Sequence, residues 1–183
     1  MWHPLELLSA NTQWWLFVIL ILPSVLLLFR QAGLGRALRT ADAPLGMLSL
    51  EMSLSSATSH QIIQSWSAES RERARQQLCA DYWFIPAYTT VLALGALWVA
   101  RWFSDHGSLR MATFLTYVAW VPWIVGLLEF ASNSTLLRVL LMYPEIPGRL
   151  SRFAGWSARV KLGLIFLVVI CGMLVVLGGL GQA

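Results

Sequence analysis

Residues 112–131 read ATFLTYVAWVPWIVGLLEFA, a run in which Glu129 is the only charged side chain. A helix rises ~1.5 Å per residue, so a run of this length covers the roughly 30 Å hydrocarbon core of a bilayer. The stretch predicts a membrane-crossing helix, and the rest of the chain repeats the pattern. Residues 14–29, 82–103 and 162–178 form three further apolar runs. Each approaches or exceeds the ~17–20 residues a crossing requires. The composition agrees: 57% of the 183 residues are hydrophobic and 12% are charged, with a mean hydropathy of +0.64. A soluble domain carries about a quarter charged residues, so an ordinary cytosolic globule and a disordered chain are both excluded. The predicted fold is all-α: one polytopic membrane domain over residues 1–183, with four transmembrane helices in a bundle.

The basic residues give an orientation. Arg30, Arg36, Arg39, Arg71, Arg73 and Arg75 lie in the connection over residues 30–80. Arg138, Arg149, Arg152, Arg159 and Lys161 surround the connection before the fourth run, and only Arg101 and Arg110 flank the connection between the second and third. Positive residues concentrate on the cytoplasmic side, which predicts a bacterial inner-membrane protein with both termini outside. The first 29 residues contain no Lys or Arg, so the opening segment lacks the basic region of a cleavable signal peptide and is expected to remain. The net charge of +4 is accounted for by this membrane-surface distribution, and no nucleic-acid partner is expected.

The loop over residues 30–80 is expected to carry short amphipathic helices. Ile62, Ile63 and Trp66 fall on one side of a helix through ATSHQIIQSW. Ser67 can cap the next helix, with Glu69 in its first turn; that helix then runs from water into the second apolar run. MLSLEMSL (residues 47–54) alternates apolar and polar like a strand, but a lone strand leaves its edges unsatisfied at a membrane. A short interfacial helix or an extended segment is expected there.

Charge inside a bilayer costs roughly 2.5–3.5 kcal/mol per residue at the centre, so Asp81, Glu129 and Lys161 stand out. Counted along their helices at ~1.5 Å per residue, all three reach the cytoplasmic rim of the core. Glu129, Ser132 and Asn133 share one face at i, i+3 and i+4. Asp81, Tyr88 and Gly95 repeat every seven residues on the second helix, and Lys161, Val168 and Gly172 do nearly so on the fourth. Small residues on such stripes let helices approach. Three readings of this polar cluster (Asp81, Tyr88, Glu129, Ser132, Asn133, Lys161) are open: a structural ion-pair lock, a proton-handling or ligand site, or side chains reaching separately to the interface. Trp120 and Trp123 flank Pro122 too deep for an interfacial aromatic belt. With Gly126 they either fill the helix packing beside a kink or wall an apolar pocket for a lipid, quinone or pigment.

Other chemistry is excluded by the residues. His3, His60 and His106 lie outside the apolar runs, so no intramembrane bis-histidine haem pair exists. Cys79 and Cys171 form no CxxC motif, and no HExxH, GxSxG or P-loop pattern occurs. No metal site and no cofactor are predicted.

IIQSW, LCADYWFIPAY, GLLEFASNSTLL and ARVKLGL, taken in that order, resemble a loose class of small uncharacterised bacterial four-helix membrane proteins. Such proteins often carry an Asp entering helix two, a D-x-x-E-N run in helix three and a Lys in helix four. Here Asp81 and Lys161 match, and the middle run reads Glu129, Ser132, Asn133, without its second acid. The resemblance covers most of residues 48–170 and implies a fold but no known activity. The expected function is non-enzymatic: an accessory or scaffold subunit of a membrane complex, or a binder of an apolar ligand. Expected partners are membrane lipids with other membrane subunits or further copies of the chain. A small transporter or channel component using Asp81 and Glu129 as titrating groups is the first alternative, and a lipid-modifying enzyme the second.

Overall fold

Ser9 begins the first long helix: its hydroxyl accepts from the Thr12 amide at 3.2 Å, satisfying one of the donors a helix N-terminus leaves free. The computed structural model describes residues 3–180, with side chains described through residue 168 and at Ile170. A 3-10 turn, Pro4–Leu7, leads into α1 (Ala10–Arg36). Then come α2 (Met47–Glu51), α3 (Ser56–Gln64), α4 (Ala68–Asp105), α5 (Leu109–Val118), α6 (Val121–Leu141) and α7 (Gly148–Leu180). Among the described residues three helical spans are long and apolar enough to cross a membrane: Ala10–Arg36, Ala68–Asp105 and Leu109–Leu141. The fourth apolar run, residues 162–178, lies in the second half of α7; Cys171 and Gly172 lie outside the residues whose side chains are described.

The helices extend beyond the apolar runs because capping and polar turns continue them into water. Ser67 caps α4 through the Ser70 amide at 3.1 Å, and α4 passes Pro86 without breaking. The third run behaves differently. Its helix closes at Val118 and restarts at Val121, with Pro122 in the first turn of α6. There the missing N–H is one of the groups that would have no intrahelical partner anyway. The expected kink is therefore a break one turn ahead of the proline.

Packing follows the chain: α1 lies on α4, α4 on α5 and α6, and α6 on α7, with α2 and α3 set against α7. Two apolar cores form, one at each end. The first joins the loop layer to the ends of the long helices, through Leu38, Leu50, Ile62, Ile63, Trp66, Leu78, Leu136 and Ala154. Ile62, Ile63 and Trp66 are all buried, as the i+3 and i+4 spacing requires, and the Trp66 indole donates to the Leu38 carbonyl at 2.8 Å. Fully burying one such aromatic stabilises by roughly 2–3 kcal/mol. The MLSLEMSL segment resolves into a helix: Gly46, at φ 62°, turns the chain into α2. A Cβ at Gly46 would come within 2.9 Å of the Gly35 carbonyl, so glycine is required for both reasons. The second core gathers Leu5 from the N-terminal turn with Ala93, Leu94, Leu97 and Ala119.

Close approach occurs at some small residues and not at others. A Cβ on Gly126 would sit 3.0 Å from Thr89 Cγ2 and 3.1 Å from Ile85 Cγ2, so α6 lies tightly on α4 there. Gly95, on the expected α4 stripe, has nothing among the described residues within 4 Å of that position. Gly155 on α7 is the tightest contact, since a Cβ would overlap the Ser53 carbonyl and Leu54.

Candidate functional site

Between the two apolar cores lies a polar layer. Lys161 of α7 is buried and its ammonium donates to Glu51 Oε1 at 2.7 Å and to Glu129 Oε1 at 3.2 Å. The side chains are 11% exposed for Lys161, 11% for Glu51 and 21% for Glu129, so neither ion pair is a surface pair. The Tyr88 hydroxyl of α4 donates to Glu129 Oε2, and the Ser132 hydroxyl donates to Glu51 Oε1 at 3.4 Å. Beside this group, the Asp81 carboxylate accepts from the Gln31 amide of α1 and from Asn133 Nδ2, the latter at 3.2 Å. At the outer edge of the same layer the Tyr82 and Ser134 hydroxyls meet at 2.7 Å.

All six residues of the expected polar cluster thus meet hydrogen-bond partners at one level. They form two adjoining groups, joined through the neighbouring residues Ser132 and Asn133 of α6. Two further members escaped the sequence reading. Glu51 is buried and supplies the shorter of the two bonds to Lys161. Its signal was present: it is the one charged residue in residues 43–54. Gln31 lies two residues past the first apolar run, where a polar residue reads as the end of a span.

The charge balance is unequal. Three carboxylates, Glu51, Asp81 and Glu129, face one bonded ammonium. Taking ions out of water costs several kcal/mol each unless the attraction and hydrogen bonds are well placed. The amide, hydroxyl and ammonium donors offset part of this.

At the other end, the residues expected to wall an apolar pocket are in contact with the chain's own N-terminal segment. The His3 ring has no exposed surface and packs against Trp120 and Trp123, with ring centroids 4.8 and 4.7 Å apart. Trp120 and Trp123 contact each other edge to face at 5.8 Å. Pro122 sits in the α6 turn between them, and Gly126 faces α4 rather than open space. His3 also begins the 3-10 turn: its Nδ1 accepts from the Leu5 amide at 3.3 Å, and the Glu6 carboxylate accepts from the His3 amide at 2.7 Å. Burial holds the His3 ring below the ordinary histidine pKa, against the opposing pull of Glu6. Gln13 fastens the segment down. It donates to the carbonyls of Leu5 at 2.7 Å and Leu8 at 3.1 Å, and accepts from Arg101 at 2.8 Å and Trp98 at 3.2 Å. His3, which lies outside the apolar runs, is nonetheless fully buried.

Among the described residues no group of three or more His, Cys, Asp or Glu side chains is arranged to hold a metal ion. Cys79 is free and exposed. Compared with protein-family models, with curated proteins and with solved structures, the chain matches none.

Proposed function

We propose that the chain is a bacterial inner-membrane protein of four crossings, α1, α4, α5 with α6, and α7, acting as a small transporter or channel component that exchanges protons through its polar layer. The loop layer and the start of α7 face the cytoplasm in this reading, and the N-terminal turn faces outside. The split of the basic residues supports that orientation. The observation that carries the function is the pairing of two carboxylates from two helices, Glu51 and Glu129, with one buried ammonium, beside a third carboxylate, Asp81, in the adjoining group. Intramembrane ionisable residues that face a bundle interior and pair with one another mark proton relays and ion paths. Glu129 is the central group: it touches Lys161 and Tyr88, and it is the most exposed member of the two ion pairs.

The test is proton flux in proteoliposomes holding an internal pH dye, driven by a potassium diffusion potential. Flux above protein-free vesicles, lost in Glu129→Gln, is the expected result. Flux equal to empty vesicles, or unchanged in the variant, would remove the proposal. A non-enzymatic scaffold or accessory subunit, held in membrane lipids, is the second reading. One observation favours it: the Lys161 bonds tie together segments far apart in the chain, which a register lock also requires.

A further inference from the structure

The N-terminal turn is fastened through a histidine that has room for one ring proton. His3 Nδ1 accepts from the Leu5 amide at 3.3 Å. A backbone N–H only donates, so Nδ1 carries its lone pair and the proton of the neutral ring sits on Nε2. Nε2 is buried and has no hydrogen-bond partner among the described residues. The ring has no exposed surface and lies against the indoles of Trp120 and Trp123 at the start of α6. A second proton has one place to go, Nδ1. There it turns an acceptor into a donor and sets two N–H groups against each other, so the bond that begins the turn is lost. The cation then holds two ring N–H groups without an acceptor in a buried place, which is far more costly than burying the neutral ring.

The charges around the ring bear on the direction. On its own segment, Glu6 accepts from the His3 amide at 2.7 Å and favours the cation. From α6 the ring meets two indoles, which do not titrate. α1 supplies the neutral Gln13, which donates to the Leu5 and Leu8 carbonyls, and α4 supplies Arg101, a positive charge held to the same segment through Gln13. Burial outweighs Glu6, so the folded turn favours the neutral ring. Leu5 is what the turn contributes to the second apolar core, beside Ala93, Leu94, Leu97 and Ala119. We propose that Pro4–Leu7 is an acid-released latch: protonation of His3 at Nδ1 detaches the turn from Trp120 and Trp123 and uncovers the core that Leu5 completes. The latch stands on these contacts and not on proton exchange through the polar layer.

The test is the labelling rate of a single cysteine in the purified chain in mild detergent, from about pH 7.5 to 5.5, the window in which a histidine changes charge. Cys79 and Cys171 are replaced. Leu5→Cys, at a position 8% exposed, reports the turn; Ala119→Cys, at a fully buried position, reports the core if the first variant does not fold. Each rate is divided by that of Ser104→Cys, an exposed position, to remove the reagent's own pH dependence. Opening coupled to one proton raises the open fraction by up to about tenfold per pH unit below the ordinary histidine value of 6.5. A rise of about threefold to tenfold in the relative rate is therefore expected across the range. His3→Asn keeps a side-chain oxygen to cap the turn but takes up no proton, and should give a flat profile; Glu6→Gln should keep the rise. A flat profile at both reporters with His3 in place, a rise that survives in His3→Asn, or one lost in Glu6→Gln would overturn the inference. Proton flux has no part in this readout, so failure of the latch and failure of the exchange reading are told apart.

Discussion

Replacing Lys161 by Met removes the ammonium and keeps most of the side-chain volume. Two carboxylates then lose their cation. Glu51 retains only the Ser132 hydroxyl at 3.4 Å, while Glu129 retains Tyr88. Breaking a buried pair by removing one partner costs about 3–5 kcal/mol. Glu129 is 21% exposed, so water relieves part of the penalty and the lower figure, about 3 kcal/mol, applies. For a chain of this size 1 kcal/mol moves Tm by about 2–4 °C, which gives a fall of about 6–12 °C in detergent. The structure also says which second change repairs the damage. Glu51 lies closer to Lys161 than Glu129 does, 2.7 against 3.2 Å, and its one other donor, the Ser132 hydroxyl, sits at 3.4 Å, near the limit of a hydrogen bond. Glu51→Gln should therefore restore more of the lost Tm than Glu129→Gln in the Lys161→Met background. Thermal unfolding of the four combinations measures the coupling directly. Strict additivity of Lys161→Met with Glu51→Gln would refute the reasoning, because contacting charges must couple.

Three further outcomes are expected. Gly155→Ala should cost about 1–3 kcal/mol, since the new Cβ overlaps the Ser53 carbonyl; a Tm within a degree of wild type would show that the turn after α2 yields freely. The His3 ring is neutral when buried, so its packing contributes in full above the unfolded-state pKa of 6.5 and is lost as pH falls through its lower folded value; Trp fluorescence should report release below pH 6.5 in wild type and no such transition in His3→Phe. Cysteines placed singly at Ser104 and Glu145, both exposed, with Cys79 and Cys171 replaced, should be labelled from outside and only after permeabilisation, respectively; the reverse pattern would invert the orientation and the cytoplasmic placement of the loop layer.

The long helices were legible because a crossing needs length and apolarity, and both are local properties. The loop helix α3 was legible for the same kind of reason, since Ile62, Ile63 and Trp66 show their period within five residues. The short helix α2 was not. Five residues are too few to display a helical period, and its alternation reads equally as a strand; with it went Glu51. The level of Asp81, Glu129 and Lys161 could be counted along the helices, whereas Gln31 could not be added, because a polar residue at the end of a span has the same sequence appearance whether or not it faces a neighbour. His3 was hidden more thoroughly. Its burial depends on Trp120 and Trp123, which reach it only once α6 is in place against α4. The apolar pocket expected beside Pro122 and the packing of His3 concern the same two indoles, and the sequence carried no sign that the chain would reach back to them.

The bond between Lys161 and Glu51 spans 110 positions in the chain, and this sets an order of assembly. Synthesis delivers Glu51, then Asp81, then Glu129, and only afterwards the helix bearing the ammonium. Until α7 is made, Glu51 and Glu129 lack the cation that pairs with them, and the turn after α2 lacks the Gly155 surface it packs on. The contacts that hold the segment around α2 to α7 are therefore the last that can form. A chain that stops short of Lys161 therefore carries Glu51 and Glu129 without the one ammonium bonded to both.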